Sequence, residues 1–235
     1  MNEFLYQELE LSEVFAASPQ HLNDPFDCQI DPQAAIKRAS RRVKDADRLA
    51  LFREMSDNFS AQPPVLKRKG ISCFSKHCDS LTMWSHYADS HFGVCLTYQI
   101  DGDALADRYS SDSTDPYLVA IADVEYGRTY FTDWLVSGDL EDPIEGEPVT
   151  SAAAKTLVVK SSDWHYENEV RIIMSGPGPI ELPRDALSQV LFGVRTTESS
   201  KRAIRAIAER RNPNINFGQC RFTDEFDFGL TFDDI

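Results

Sequence analysis

"WHYENEVRII", residues 164–173, is the stretch on which the reading of this chain turns. Val170, Ile172 and Ile173 are β-branched residues in quick succession, and they predict a strand over 169–174. Alternate residues of a strand share a face, so Glu167, Glu169 and Arg171 point one way while Asn168 and Val170 point the other. Two carboxylates held that close raise each other's pKa, and one of them can then act as acid or base while its neighbour stays ionised. Arg171 offers the competing outcome, a salt bridge that neutralises one of the pair.

Working outward, further strand-like segments fall at "ISCFS" (71–75), "GVCLTYQI" (93–100), "YLVAIADVEYG" (117–127), "SQVLFGV" (188–194) and "NINFGQCRF" (214–222). In the tail, Phe226, Phe228, Leu230 and Phe232 alternate with polar residues, the pattern of a final edge strand. Apolar residues at Ile36, Ala39, Val43, Ala46, Ala50, Phe52, Met55 and Phe59 draw one stripe along a long N-terminal helix from Pro32 to Phe59, with Asp31 as its N-cap. Shorter helices are predicted over 80–88 and 198–211. Helices and strands do not alternate regularly, which excludes a doubly wound parallel sheet. The fold class expected is α+β, with a mixed, mostly antiparallel sheet in a single domain over 1–235.

The bulk composition narrows the function classes. Hydrophobic residues make up 42% of the 235, enough to fill a sizeable core. A formal charge of −14 argues against general polyanion binding. The segment 37–69 nevertheless holds ten basic residues against four acidic ones, leaving it at +6 and the rest of the chain at −20. It is either a solvated helix against acidic neighbours or a docking surface for a partner. Five cysteines, odd in number and scattered, suit reduced thiols. The start "MNEFLYQELE" has neither the basic opening nor the apolar run of a signal peptide, and no stretch of about 18 apolar residues could cross a bilayer. A cytoplasmic protein that does not enter the membrane is the expectation. The Gly-, Pro- and acid-rich stretch 136–151 is a surface loop, placed either to close over the glutamates or merely to connect.

Other clusters invite chemistry. Asn23-Asp24-Pro25 is a turn signature that either serves the backbone alone or holds Asn23 and Asp24 at the rim of a pocket. Along the helix over 80–88, Trp84 and Tyr87 share a face and could present flat rings to a ligand, or pack into the core. His77, His86 and His91 match no familiar metal spacing, and no metal is expected. Ser75 ends its strand either beside a ligand or as a cap.

In order, "FAASPQHLNDPFDC", "ISCFSKHCDSLTMWSHYADSHFGVCLTY", "VEYG", "KSSDWHYENEVRII" and "VLFGV" resemble the signature blocks of a bacterial family, domain of unknown function 2971. That family brings no established activity. The Glu-x-Glu pair entering a strand, the upstream strand ending in serine and the aromatic helix between them are also similar to the layout of mono-ADP-ribosyltransferases. This second resemblance implies that Glu169 holds a ribose hydroxyl of NAD and stabilises the oxocarbenium-like state, that Glu167 serves the acceptor, and that Ser75 supports the pocket. Trp84, Tyr87 and Tyr166 would sandwich nicotinamide, and Asn23, Asp24 and His86 would meet the substrate. Such transferases open with an arginine or histidine on the first strand. "EFLYQELELSEVF" offers neither, and His21 is the candidate for that grip.

The leading expectation is an NAD-consuming, ADP-ribosyltransferase-like enzyme, a bacterial toxin or phage-defence effector modifying an acceptor that is protein or nucleic acid. The rivals are a non-enzymatic interaction domain using the basic helix 37–53, and a metal-dependent hydrolase or nuclease built on His86 or His91.

Overall fold

In a computed structural model the chain is described over residues 3–61, 68–112, 115–138, 140, 148–223, 225 and 227–235. α1 (Glu3–Leu11) leads into β1 (Glu13–Ala16), and α2 (Pro32–Ser40) and α3 (Ala46–Ala61) follow. The middle of the chain runs β2 (Gly70–Ser75), α4 (Leu81–His86), β3 (Val94–Tyr98), α5 (Gly102–Arg108), β4 (Leu118–Asp123) and β5 (Glu125–Tyr126). Then come α6 (Tyr130–Ser137), α7 (Pro148–Thr156), β6 (Val159–Lys160), β7 (Glu169–Met174), β8 (Gly178–Glu181) and β9 (Leu187–Phe192). The last elements are α8 (Glu198–Arg211), β10 (Asn216–Phe222) and β11 (Leu230–Asp234).

The class is α+β. One sheet is antiparallel in the order β2-β7-β4, and a second has the order β11-β10-β9-β3, in which only the β10–β9 pair is parallel. β1 pairs with β8 and reaches β2 through a single bridge between Ala17 and Ile71. The tail is the expected edge strand, although Phe226 lies outside the described residues. Half of the candidate lid, 139 and 141–147, also lies outside them, and its two ends are helical, in α6 and α7, where a loop is predicted.

The long helix predicted over 32–59 is two helices. The backbone N–H groups of Arg41 and Arg42 close α2 on the carbonyls of Arg38 and Ala39, and Asp45 starts α3 by accepting from the Arg48 backbone at 2.8 Å. A good N-cap five residues past a helix end competes with continuing the same helix. The apolar stripe survives the break, because Ile36, Ala39, Phe52 and Met55 share one core with Phe131 and Leu135 of α6. Several basic residues of this region are committed internally. Arg38 bonds Thr132, Arg42 bonds Asp133, and Arg48 donates to the carbonyls of Leu135 and Gly138. Their role is to staple α2 and α3 onto α6.

The opening stretch is also helical. α1 lays Leu9, fully buried, against Leu187, Ile204 and Ala208, and the first strand begins only at Glu13. Among the described residues no helix is long and apolar enough to cross a membrane. After α4, Asp89, Ser90 and His91 all take left-handed φ values of 49°, 53° and 70°. Gly193 accommodates this turn, since a Cβ there would stand 2.3 Å from the His91 carbonyl oxygen.

Candidate functional site: a buried ion cluster under aromatic rings

β7 is the middle strand of its sheet, and its alternation sorts "EVRIIM" into two faces. Ile172 and Met174 join the core on one side, and Ile173 packs with Ile71, Cys28 and Leu157 on the other. Arg171 shares the Ile173 face, so strand geometry drives a guanidinium into the interior. It pairs with Cys73 on β2 and Ala122 on β4, small neighbours that leave room for it.

Arg171 is 0% exposed and all its donor groups are occupied. Nε donates to Glu169 Oε1 at 2.6 Å, and Nη2 to Glu169 Oε2 at 3.1 Å and Asp27 Oδ2 at 2.7 Å. Nη1 donates to the Leu157 carbonyl at 2.6 Å and to Cys28 Sγ at 3.0 Å. Lys160 completes the cluster. Its ammonium meets Glu167, Glu169 at 3.1 Å and Asp27 at 3.2 Å, one carboxylate for each N–H. Three carboxylates therefore surround two cations, leaving one negative charge in excess among groups that are all buried.

Glu167 does not sit in the strand, as the alternation predicts. It ends a 3-10 turn, Ser162–Glu167, and Asn168 follows with a left-handed φ of 40°. The reversal still brings both glutamates to Lys160. The two differ in what they have left to offer. Glu169 accepts from Arg171 twice and from Lys160, which takes three of the roughly four acceptor positions of a carboxylate. Glu167 accepts from Lys160 and, at 2.5 Å, from the Tyr87 hydroxyl, so acceptor capacity remains. Tyr87 is 49% exposed and in turn accepts from the Asn23 amide at 2.6 Å, linking the cluster to the surface.

Burial alone would raise the carboxyl pKa of Glu169, but the hydrogen bonds and charge of Arg171, aided by Lys160, hold it below the ordinary value. Burial and Arg171 act on Asp27 in the same opposed way, with the same net depression. Burial pulls the Lys160 ammonium down, yet its carboxylates outweigh that and raise it. Burial pushes the Cys28 thiol up to about 12, so it stays protonated. A carboxylate whose folded pKa is depressed adds stability that is fully present above its unfolded value and lost as pH falls through the folded one. Glu8, raised by burial, has the opposite sign and stabilises only at low pH. With two depressed carboxylates in the cluster, the urea midpoint is expected to fall as pH drops below the ordinary carboxylate range, about pH 4. A midpoint unchanged across that range would contradict the cluster.

Rings close over the ions. The Lys160 ammonium lies 5.2 Å from the Trp164 ring centroid, and the Tyr126 hydroxyl accepts from the Glu169 backbone N–H at 2.8 Å. Tyr166 packs against Trp164 and sets its edge on His86, whose Nδ1 is 3.3 Å from the Tyr166 hydroxyl.

The structure brings Glu167, Glu169, Asn23, Tyr87, Tyr166 and His86 into this one region, and it places the other candidates differently. Trp84 is 2% exposed, donates its indole N–H to the Cys78 carbonyl at 2.6 Å, and packs with Leu191 and Cys220, so its ring belongs to the core and not to a ligand. Ser75 pairs with Glu169 in the register, but its hydroxyl closes its own turn on His77. Asp24 is buried and caps the Phe26 backbone N–H. His21 is exposed on the 3-10 turn Pro19–His21. Among the described residues no group of three or more His, Cys, Asp or Glu is arranged to hold a metal ion.

Sequence reasoning missed Asp27, Lys160, Tyr126 and Trp164. The one available signal was Lys160 itself, a lone cation closing the apolar run "LVV". No curated protein and no solved structure matches the chain. A family model does: residues 83–172, from α4 through Arg171 to the middle of β7, match the one described as Protein of unknown function (DUF2971).

Proposed function

We propose that this chain consumes NAD by an ADP-ribosyltransferase-type reaction at the ion cluster. The observation that carries the reading is the excess of buried negative charge, three carboxylates against two cations, beneath the rings of Tyr87, Tyr126, Trp164 and Tyr166. In this reaction the bond between the ribose C1′ and the nicotinamide nitrogen breaks, and its electron pair leaves with the nitrogen, which becomes neutral. The sugar becomes cationic until an acceptor nucleophile bonds to C1′ and releases its proton. A fixed anion in a place poor in water favours that cationic state, because its orientation is settled before the reaction begins. Flat rings suit the nicotinamide that leaves.

The acceptor capacity assigns the roles within the pair. Glu167, with lone pairs to spare and a hydrogen-bonded route to the surface through Tyr87, faces the sugar. Glu169, committed to Arg171 and Lys160 through three hydrogen bonds, keeps the cluster ionised. This reverses the roles that the family resemblance implies. A rival interaction domain would have to draw on the other cations of the basic segment, since Arg38, Arg42 and Arg48 are bonded to α6.

Incubation of the purified chain with NAD labelled in the nicotinamide ring tests the proposal. Release of free nicotinamide that depends on the protein is the expected result. No release, with candidate acceptors present, would end it.

A further inference from the structure

Remote in sequence from the cluster, a second feature has no part in that chemistry. A depression of about 520 Å³ is lined by Leu9, Glu10, Arg184, Ile207, Arg210 and Arg211. Three arginines line it in a protein whose formal charge is −14.

Arg211 is the unusual member, since it is only 5% exposed and makes no ion pair among the described residues. Its Nε donates to the Arg184 carbonyl at 3.3 Å and its Nη1 to the Glu8 carbonyl at 3.2 Å. Its guanidinium carbon lies 5.7 Å from the Tyr98 ring centroid. Nη2 is buried with no hydrogen-bond partner among the described residues. The nearby Glu8 carboxylate accepts from the Tyr98 hydroxyl at 2.6 Å. A buried cation without a direct counter-charge is costly, and one unfilled N–H donor group adds to that cost. Yet two carbonyls and a ring already hold the group in place, so a ligand that completes it meets little further loss of side-chain freedom.

We infer that this depression binds a phosphate-type oxyanion, carried on a small organic body that rests on the half-buried Ile207. Guanidinium forks match such an anion in geometry as well as charge. The volume lies within the range of roughly 300–1,000 Å³ usual for small-molecule sites. α8 ends here with its carbonyls, so the helix dipole disfavours the anion and the attraction rests on the arginines. Arg210 is held only loosely by Glu10, at 4.0 Å, and the exposed Arg184 side chain is free to turn inward.

Calorimetric titration of the full chain with inorganic phosphate, against chloride at equal ionic strength, reads this out. Saturable binding of phosphate is expected, and Arg184→Gln and Arg210→Gln should each weaken it about tenfold, the loss of one charge-assisted contact. Both side chains are exposed, so the variants fold as the parent does. Heats no different from those of chloride, or variants that bind phosphate as tightly as the parent, would overturn the inference.

Discussion

Arg171→Met is expected to lower the unfolding free energy by about 3–5 kcal/mol, the range for removing one partner of a buried ion pair. The side chain is fully buried and bonds Glu169, Asp27, Leu157 and Cys28 together. Methionine fills much of the same volume, so the loss measures the charges left behind more than a cavity. Three carboxylates would then face Lys160 alone, and the pKa values of Asp27 and Glu169 would rise in place of their present depression. The variant should therefore gain stability as pH falls toward about 4, whereas the parent holds its stability there and loses it below that value. Urea denaturation at two pH values checks both the size and the change of sign. A loss below about 1 kcal/mol, the level of an exposed pair, would mean that the cluster is solvated.

Glu167→Gln is expected to reduce nicotinamide release by about 10²–10³-fold, the usual cost of one preorganised charge-stabilising group. Its effect on folding should be smaller than that of Arg171→Met, because the Gln carbonyl still accepts from Lys160, the amide NH2 can donate to the half-exposed Tyr87 hydroxyl, and the charge removed is the one in excess. Glu169→Gln should do the reverse. It breaks the two-point contact with Arg171 and leaves that cation short of charge, so stability falls before catalysis can be compared. Steady-state nicotinamide release set beside a melting curve for each variant separates the two carboxylates. A Glu167→Gln protein with the parent's rate would remove the role given to this residue.

The legible parts of this chain were those in which one local pattern dominates. β7 and α8 fall at their predicted limits, because three β-branched residues within six and a clear 3.6-residue stripe have few competing structures. The 32–59 helix failed on local chemistry, where the cap at Asp45 outweighed a continuous stripe. α1 was missed because "EFLYQELEL" buries its apolar side against α8, an element some two hundred residues later. The site was half legible. Glu167, Glu169 and Arg171 stand close in sequence and could be weighed against one another. Asp27 and Lys160 could not, since a lone aspartate or lysine looks solvated until the fold brings opposite charges to it. Trp84 illustrates the limit from the other side: helical spacing sets it on one face with Tyr87, but the fold packs Trp84 into the core and leaves Tyr87 half exposed at the ion cluster.

The partners of Arg171 include Asp27, 144 positions earlier, and its neighbour on the same strand, Glu169. A contact over that separation forms only after most of the polypeptide has collapsed, because the entropy of closing so large a loop must be overcome first. Until Asp27 arrives, a hydrophobic strand carries an ill-matched charge toward the forming interior. Partly assembled states are thereby disfavoured, and docking of the 22–28 segment becomes the event that commits the molecule to its native topology.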